Sequence, residues 1–176
     1  MEDPHAPSAF ARDIIALLPR LRRFAAGLSG SLDAADDLVQ SACERALRAP
    51  ERFTPGTRLD SWMFRIVQNI WIDQRRAAGR AGPTTSDPDM LAALVGDDGR
   101  RVTEANLTLE RVAAAMQGLS DDQRAVLVAV CVEGLSYAEA AELMGVPAGT
   151  VMSRLFRARR GLAARLGLAE SGWEGE

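Results

Sequence analysis

The chain has 176 residues, a net charge of −3 and 47% hydrophobic residues, enough apolar content for a core, which excludes a wholly disordered chain. All 21 basic residues are arginine, so chemistry that needs a lysine, such as a Walker phosphate loop or a Schiff base, is excluded. No apolar run reaches the about 18 residues of a membrane span, and the start, Met1-Glu2-Asp3, lacks a basic-then-apolar signal pattern, so a cytoplasmic protein without membrane insertion is expected.

The fold class expected is all-α. Over 9–28 the apolar residues Phe10, Ile14, Leu17, Leu18, Leu21, Phe24, Ala25 and Leu28 recur at helical spacing. Pro19 is expected to kink or divide that helix. A second helix is predicted over 33–48, with Leu38, Val39, Ala42, Cys43, Ala46 and Leu47 as its buried stripe. Asp33, Asp36 and Asp37 crowd its N-terminal end, where the helix dipole favours acids. After the Thr54-Pro55-Gly56-Thr57 turn a third helix is predicted over 59–76. Its core stripe is Leu59, Trp62, Met63, Ile66, Val67 and Ile70, with Phe64 and Trp71 nearer the edge. Residues 81–101 are rich in Gly, Pro, Ser, Thr and Asp and read as an acidic linker, with a transient turn at 91–95. A helix over 103–117 comes next, with Leu107, Leu109, Val112 and Met116 inward.

The most structured signal is in 119–166. Ser120 and Gln123 can form a capping box before Ala125, Val126, Val128, Ala129 and Val132. Ser136 and Glu139 form a second box, with Leu135 placed to staple onto Ala140. Gly145 supplies a left-handed stop, and Pro147 opens the last helix. A short capped helix, a tight glycine turn and a longer helix make a helix-turn-helix. From 147 to 166 there are five arginines (Arg154, Arg157, Arg159, Arg160 and Arg165) and no acid, whereas the short helix before it carries Glu139 and Glu142 and no base. This asymmetry points to a recognition helix that meets phosphate, with Thr150 and Ser153 near base edges and Arg154 and Arg157 on phosphate or guanine. A surface helix with a solvated arginine face is the plainer alternative.

Charge alternates along the chain. Arg58, Arg65, Arg75, Arg76 and Arg80 make one basic segment and the last helix another, with acidic stretches between and after. Local charge governs association, so the acidic average does not exclude nucleic acid. Enzyme chemistry has little to stand on. The sole histidine, His5, lies in the N-terminal tail, and no metal cluster, nucleophile elbow or phosphate loop is seen; no cofactor is expected. Cys43 and Cys131 are each expected to be buried, reduced thiols.

Three stretches resemble the extracytoplasmic-function (group four) sigma factors of bacterial RNA polymerase. Asp36-Asp37-Leu38-Val39-Gln40 is similar to the core-binding motif of their region two. Leu59-Asp-Ser-Trp62-Met-Phe-Arg65-Ile-Val-Gln-Asn69, with Ile72-Asp73 and Arg76, resembles their promoter-melting helix. Gly134-Leu-Ser136-Tyr137-Ala-Glu139-Ala-Ala141 and Gly149-Thr150-Val151-Met-Ser153-Arg154-Leu-Phe-Arg157-Ala158-Arg159 resemble region four. The chain departs from the family pattern at Ser41-Ala42-Cys43, at Leu47, where a tryptophan is common, and at Met152, where a basic residue is frequent.

The resemblance implies two small helical domains, region two over 8–80 and region four over 102–167, joined by the linker over 81–101. It implies that Asp37, Leu38, Gln40 and Arg45 dock on the clamp helices of the polymerase largest subunit, with region four reaching the flap. Asn69, Arg75, Arg76 and Arg80 would lie along the minus-ten element, and Thr150, Ser153, Arg154 and Arg157 would read the minus-thirty-five element. Trp62 is expected in the core; Trp71 is open between core and base stacking. Promoter DNA, core polymerase and an anti-sigma factor are the expected partners, in a stress-response setting. A sigma-like adaptor that only sequesters an anti-sigma factor, a dimeric repressor and an enzyme are the alternatives.

Overall fold

The computed structural model describes residues 8–78 and 104–168; for 104–110 it describes the backbone alone. Arg80, the expected linker, the turn at 91–95, His5 and Trp173 lie outside the described residues. Within them the chain is helical and no strand occurs.

The first half holds three helices: α1 (Ala9–Ser29), α2 (Leu32–Arg48) and α3 (Leu59–Ala78). Ser8 caps α1 by accepting the N–H of Ala11, and Gly30, at φ 75°, closes it in the left-handed region. Ser31 then caps α2. Pro19 neither divides α1 into two helices nor ends it. The apolar stripe continues on both sides, with Ile14 buried before it and Leu21, Phe24, Ala25 and Leu28 buried after it. That packing offsets the loss of one helical hydrogen bond, which costs about 3 kcal/mol at an interior proline.

The buried face of α3 is turned relative to expectation. Phe64 and Trp71 are buried with Met63, Val67 and Ile70, whereas Leu59, Trp62 and Ile66 are half-buried. A single stripe assumes one packing partner, but α3 packs against α1, α2 and a helix of the second half, so its covered arc is wider. Phe64 lies against Phe24 with ring centroids 4.6 Å apart. Trp62 instead joins Phe10 and Phe53 in an aromatic cluster at 5.5–6.2 Å. Leu47 leaves the predicted stripe of α2 and is half exposed.

The second half contains α4 (Glu104–Gln117), α5 (Asp121–Leu127), α6 (Tyr137–Met144) and α7 (Ala148–Leu166). Both predicted capping boxes form, Ser120 with Gln123 and Ser136 with Glu139. Gly145 ends α6 at φ 64°. Val151, Leu155, Ala158 and Ala163 seat α7 on the core, and Leu135 and Ala140 are buried as the staple requires.

After α5 the chain widens into a π-helical turn, Val128–Val132, closed by the N–H of Glu133 on the carbonyl of Val128 at 3.0 Å. A π turn accommodates an extra residue and shifts the register of the residues after it. Val128 and Ala129 stay buried, but Cys131 is exposed, against the expectation of a buried thiol. Cys43 is half-buried, and burial pushes its thiol pKa up.

The buried residues of the two halves form one continuous apolar cluster. Gly27 of α1 meets Val128 of the π turn so closely that a Cβ on Gly27 would stand 2.8 Å from a Val128 methyl.

Candidate nucleic-acid and polymerase interface

Three faces carry the expected site residues. On α2, Asp37, Gln40 and Arg45 are exposed on the outer side, beside Glu44 and Arg48. Gln40 donates to Glu44 at 3.2 Å and Arg48 to Glu44 at 3.1 Å. Leu38 differs: it is fully buried. It faces the core because it falls one position after the exposed Asp37 on a helix whose stripe runs through Ala35, Val39 and Ala42. Its side chain is therefore off the outer face and seats α2 on the core, as the predicted stripe requires. The apolar contribution to this face comes from Leu47, which sequence reasoning assigned to the core. Asp36 is held by Arg22 in a two-bond fork at 2.8 and 2.9 Å.

On α3, Asn69 and Arg76 are exposed. Arg75 is half-exposed and donates to Asp121 of α5 at 3.2 Å. Arg65, in the second turn of the helix, donates to the backbone carbonyl of Glu142 on α6 at 2.7 Å.

On α7, Ser153 and Arg157 are exposed and Thr150 is half-buried. The Arg157 guanidinium donates to the Ser153 carbonyl at 3.2 Å and its Oγ at 3.3 Å, which holds it over the first turns of the helix. Arg154 is not on the open face. It is half-buried and bridges to Asp122 of α5 at 2.6 Å, tying the recognition helix to its support. Met152 and Phe156 stand about half exposed on the outer side of α7, with the Arg160 guanidinium 5.7 Å from the Phe156 ring centre. They add apolar surface of the kind that meets a thymine methyl in a major groove. Their signal in the sequence was their absence from the stripe of Val151, Leu155 and Ala158.

A charged network runs behind these faces. Asp60 accepts from Arg58 at 2.7 and 3.1 Å and from Arg20 at 2.8 Å. Arg20 continues to Glu133 at 3.2 Å, Arg23 reaches the other oxygen of Glu133 at 3.2 Å, and Arg58 also pairs with Glu139. Arg58 first, then Arg20 and the Ser61 N–H, hold the Asp60 carboxyl well below the usual carboxylate range, against the opposing effect of burial.

Because its folded pKa is depressed, Asp60 stabilises the fold fully above its unfolded pKa, and that contribution is lost as pH falls below it. Thermal midpoints should therefore hold between about pH 7 and pH 5 and drop below about pH 4. Asp60→Asn should flatten part of that drop, as read by circular dichroism melts across the series.

Residues 14–81 match the family model for sigma-70 region 2, and residues 109–162 match that for sigma-70 region 4. The ECF RNA polymerase sigma factor EcfG of Rhodopseudomonas palustris is 40% identical over 154 residues, covering 88% of this chain and 83% of that one. The chain belongs to the ECF RNA polymerase sigma factors. SigM of Mycobacterium tuberculosis, also of this family, is 37% identical over 153 residues, covering 87% of this sigma factor and 74% of its relative. In fold, this sigma factor is similar to the sigma factor RpoE solved with the anti-sigma factor NepR from Bartonella quintana. That likeness has a TM-score of 0.76 and 31% identity over 93% of this chain and 100% of that one. The three helices α1–α3 thus form region two, and the helix-turn-helix of α6 and α7 belongs to region four.

Proposed function

We propose that this sigma factor is a dissociable, non-enzymatic, cytoplasmic subunit that gives core polymerase its promoter choice. The domains are taken as 8–80 and 102–167, joined by the linker at 81–101. Asp37, Gln40 and Arg45, with Leu47 beside them, offer the clamp helices a mixed acidic and apolar strip, which suits a partner coiled coil. Asn69, Arg75, Arg76 and Arg80 follow the minus-ten strand as its bases leave the stack. Thr150, Ser153 and Arg157 read the minus-thirty-five major groove, with Arg154 bracing the helix, and region four reaches the polymerase flap. The observation that carries this reading is the outer face of α7: exposed Ser153 and Arg157 behind a doubly capped helix-turn-helix, with no acid on the helix. Control by an anti-sigma factor is supported by the complex of the Bartonella relative, and a stress-response setting is what the family resemblance implies.

Gel filtration with purified core polymerase tests the docking half of this proposal. Co-elution of the sigma factor with core is the expected result; separate elution at micromolar concentrations of both would contradict it.

A further inference from the structure

Two of the large apolar side chains that stand exposed among the described residues, Met152 at 54% and Phe156 at 55%, lie one turn apart on α7. At about 100° per residue, Met152, Phe156, Gly149, Arg160, Ser153 and Arg157 fall in that order within an arc of about 140°. All six are exposed, and the opposite side of the helix seats Val151, Leu155 and Ala158 on the core. The open arc therefore has an apolar edge, Met152 and Phe156, beside a polar edge, Ser153 and Arg157. Gly149 lies between them. A Cβ there would meet nothing within 4 Å, so no packing inside the protein demands a glycine, although glycine weakens a helix relative to alanine. Its bare backbone leaves room for the wall of a groove to come close.

The two edges obey different chemistry. Arg157, held by the Ser153 carbonyl and Oγ, presents donors to the acceptors of a base edge or a phosphate. Met152 has no donor, and its thioether sulfur accepts only weakly. Against a purine edge or a bare cytosine it would strip water from polar base groups and return no hydrogen bond. Against the C5 methyl of thymine it buries apolar surface on both sides. Phe156 is the fixed member of the pair, with the Arg160 guanidinium 5.7 Å from its ring centre. Met152 is unbranched and adjusts its shape to the contact.

We propose that Met152 is a specificity-determining residue of the recognition helix. It selects a pyrimidine that carries a C5 methyl, thymine, in the minus-thirty-five element, beside the base pairs that Ser153 and Arg157 face. It rejects the guanine that an arginine at this position would take. The inference rests on the proposed function and names the base class that one position of that surface reads.

Selection by reconstituted holoenzyme from fully randomised duplexes supplies the probe. Each thymine of the enriched minus-thirty-five sequence is then replaced in turn by deoxyuridine, cytosine and 5-methylcytosine, and the affinities are compared. At one position thymine and 5-methylcytosine should bind alike, and deoxyuridine and cytosine about fourfold more weakly, the effect of one methyl group. Met152→Ala should abolish that difference, and Met152→Arg should enrich guanine at the same position. Met152 is on the surface, and circular dichroism checks that both variants keep their helices. An enriched sequence in which thymine and deoxyuridine bind alike everywhere overturns the inference, as does a Met152→Arg variant that enriches the wild-type sequence. A methyl effect that survives in Met152→Ala and vanishes in Phe156→Ala overturns the assignment to Met152. In each of these cases promoter reading itself stands. No enriched sequence at all, with no co-elution with core, removes the sigma reading and this inference with it.

Discussion

Arg124→Met should destabilise the fold by about 3 kcal/mol, and lower the thermal midpoint by roughly 6–12 °C for a chain of this size. Arg124 is 4% exposed. Its guanidinium donates to the carbonyls of Leu28 at 2.9 Å, Gln117 at 3.1 Å and Leu119 at 3.3 Å. Leu28 lies in the last turn of α1, and Gln117 and Leu119 lie at the end of α4 and just past it. Those are carbonyls that a helix cannot satisfy within itself. Burial lowers the pKa of Arg124, yet a guanidinium does not give up its proton in a protein, so the charge remains and is spread over three acceptors. Methionine keeps the length and apolar bulk of the side chain and removes every donor. Each stranded carbonyl costs about 1–3 kcal/mol if water cannot reach it, and partial relaxation brings the sum to the figure given. Urea denaturation followed by tryptophan fluorescence measures it. A change below about 0.5 kcal/mol would place Arg124 among ordinary surface residues.

Arg157→Ala should lower transcription from a minus-thirty-five-dependent promoter by about 10–100-fold and leave co-elution with core polymerase unchanged. Ser153 pre-orients the Arg157 guanidinium, so little side-chain freedom is left to lose on binding. Arg154, one turn earlier on the helix, is engaged with Asp122. Its truncation loosens the helix instead of removing a free contact, and the two variants should differ accordingly: Arg154→Ala lowers the melting temperature and Arg157→Ala does not. Binding of reconstituted holoenzyme to wild-type and minus-thirty-five-scrambled promoter fragments separates the two effects. Equal loss on both fragments would assign Arg157 to general phosphate contact.

Much of this was legible in the chain because it is local. Ser120, Ser136 and the left-handed Gly145 act within a few residues of themselves, so the helix-turn-helix could be drawn before any tertiary contact was known. Most of the misreadings are tertiary. Phe64 and Trp71 are buried because α3 is covered from three sides, which its own periodicity does not record. Leu47 leaves the predicted stripe of α2 and is half exposed, while Leu38 is buried as that stripe predicted. Cys131 faces out because a π turn adds a residue where a regular helix was assumed. Pro19 sits inside an unbroken helix because packing on both sides outweighs its local cost. Alternating blocks of charge were visible, but the partners were not: the pairing of Arg75 with Asp121 or Arg23 with Glu133 joins residues far apart in sequence.

Run-off transcription with purified core polymerase and a pool of promoter fragments, with and without the protein, tests the central claim most directly. Discrete transcripts that appear only when the protein is present, and that disappear with Arg157→Ala, are the predicted result. No protein-dependent transcript from any fragment, together with failure to bind core, would contradict the sigma assignment and favour an adaptor that binds only an anti-sigma factor.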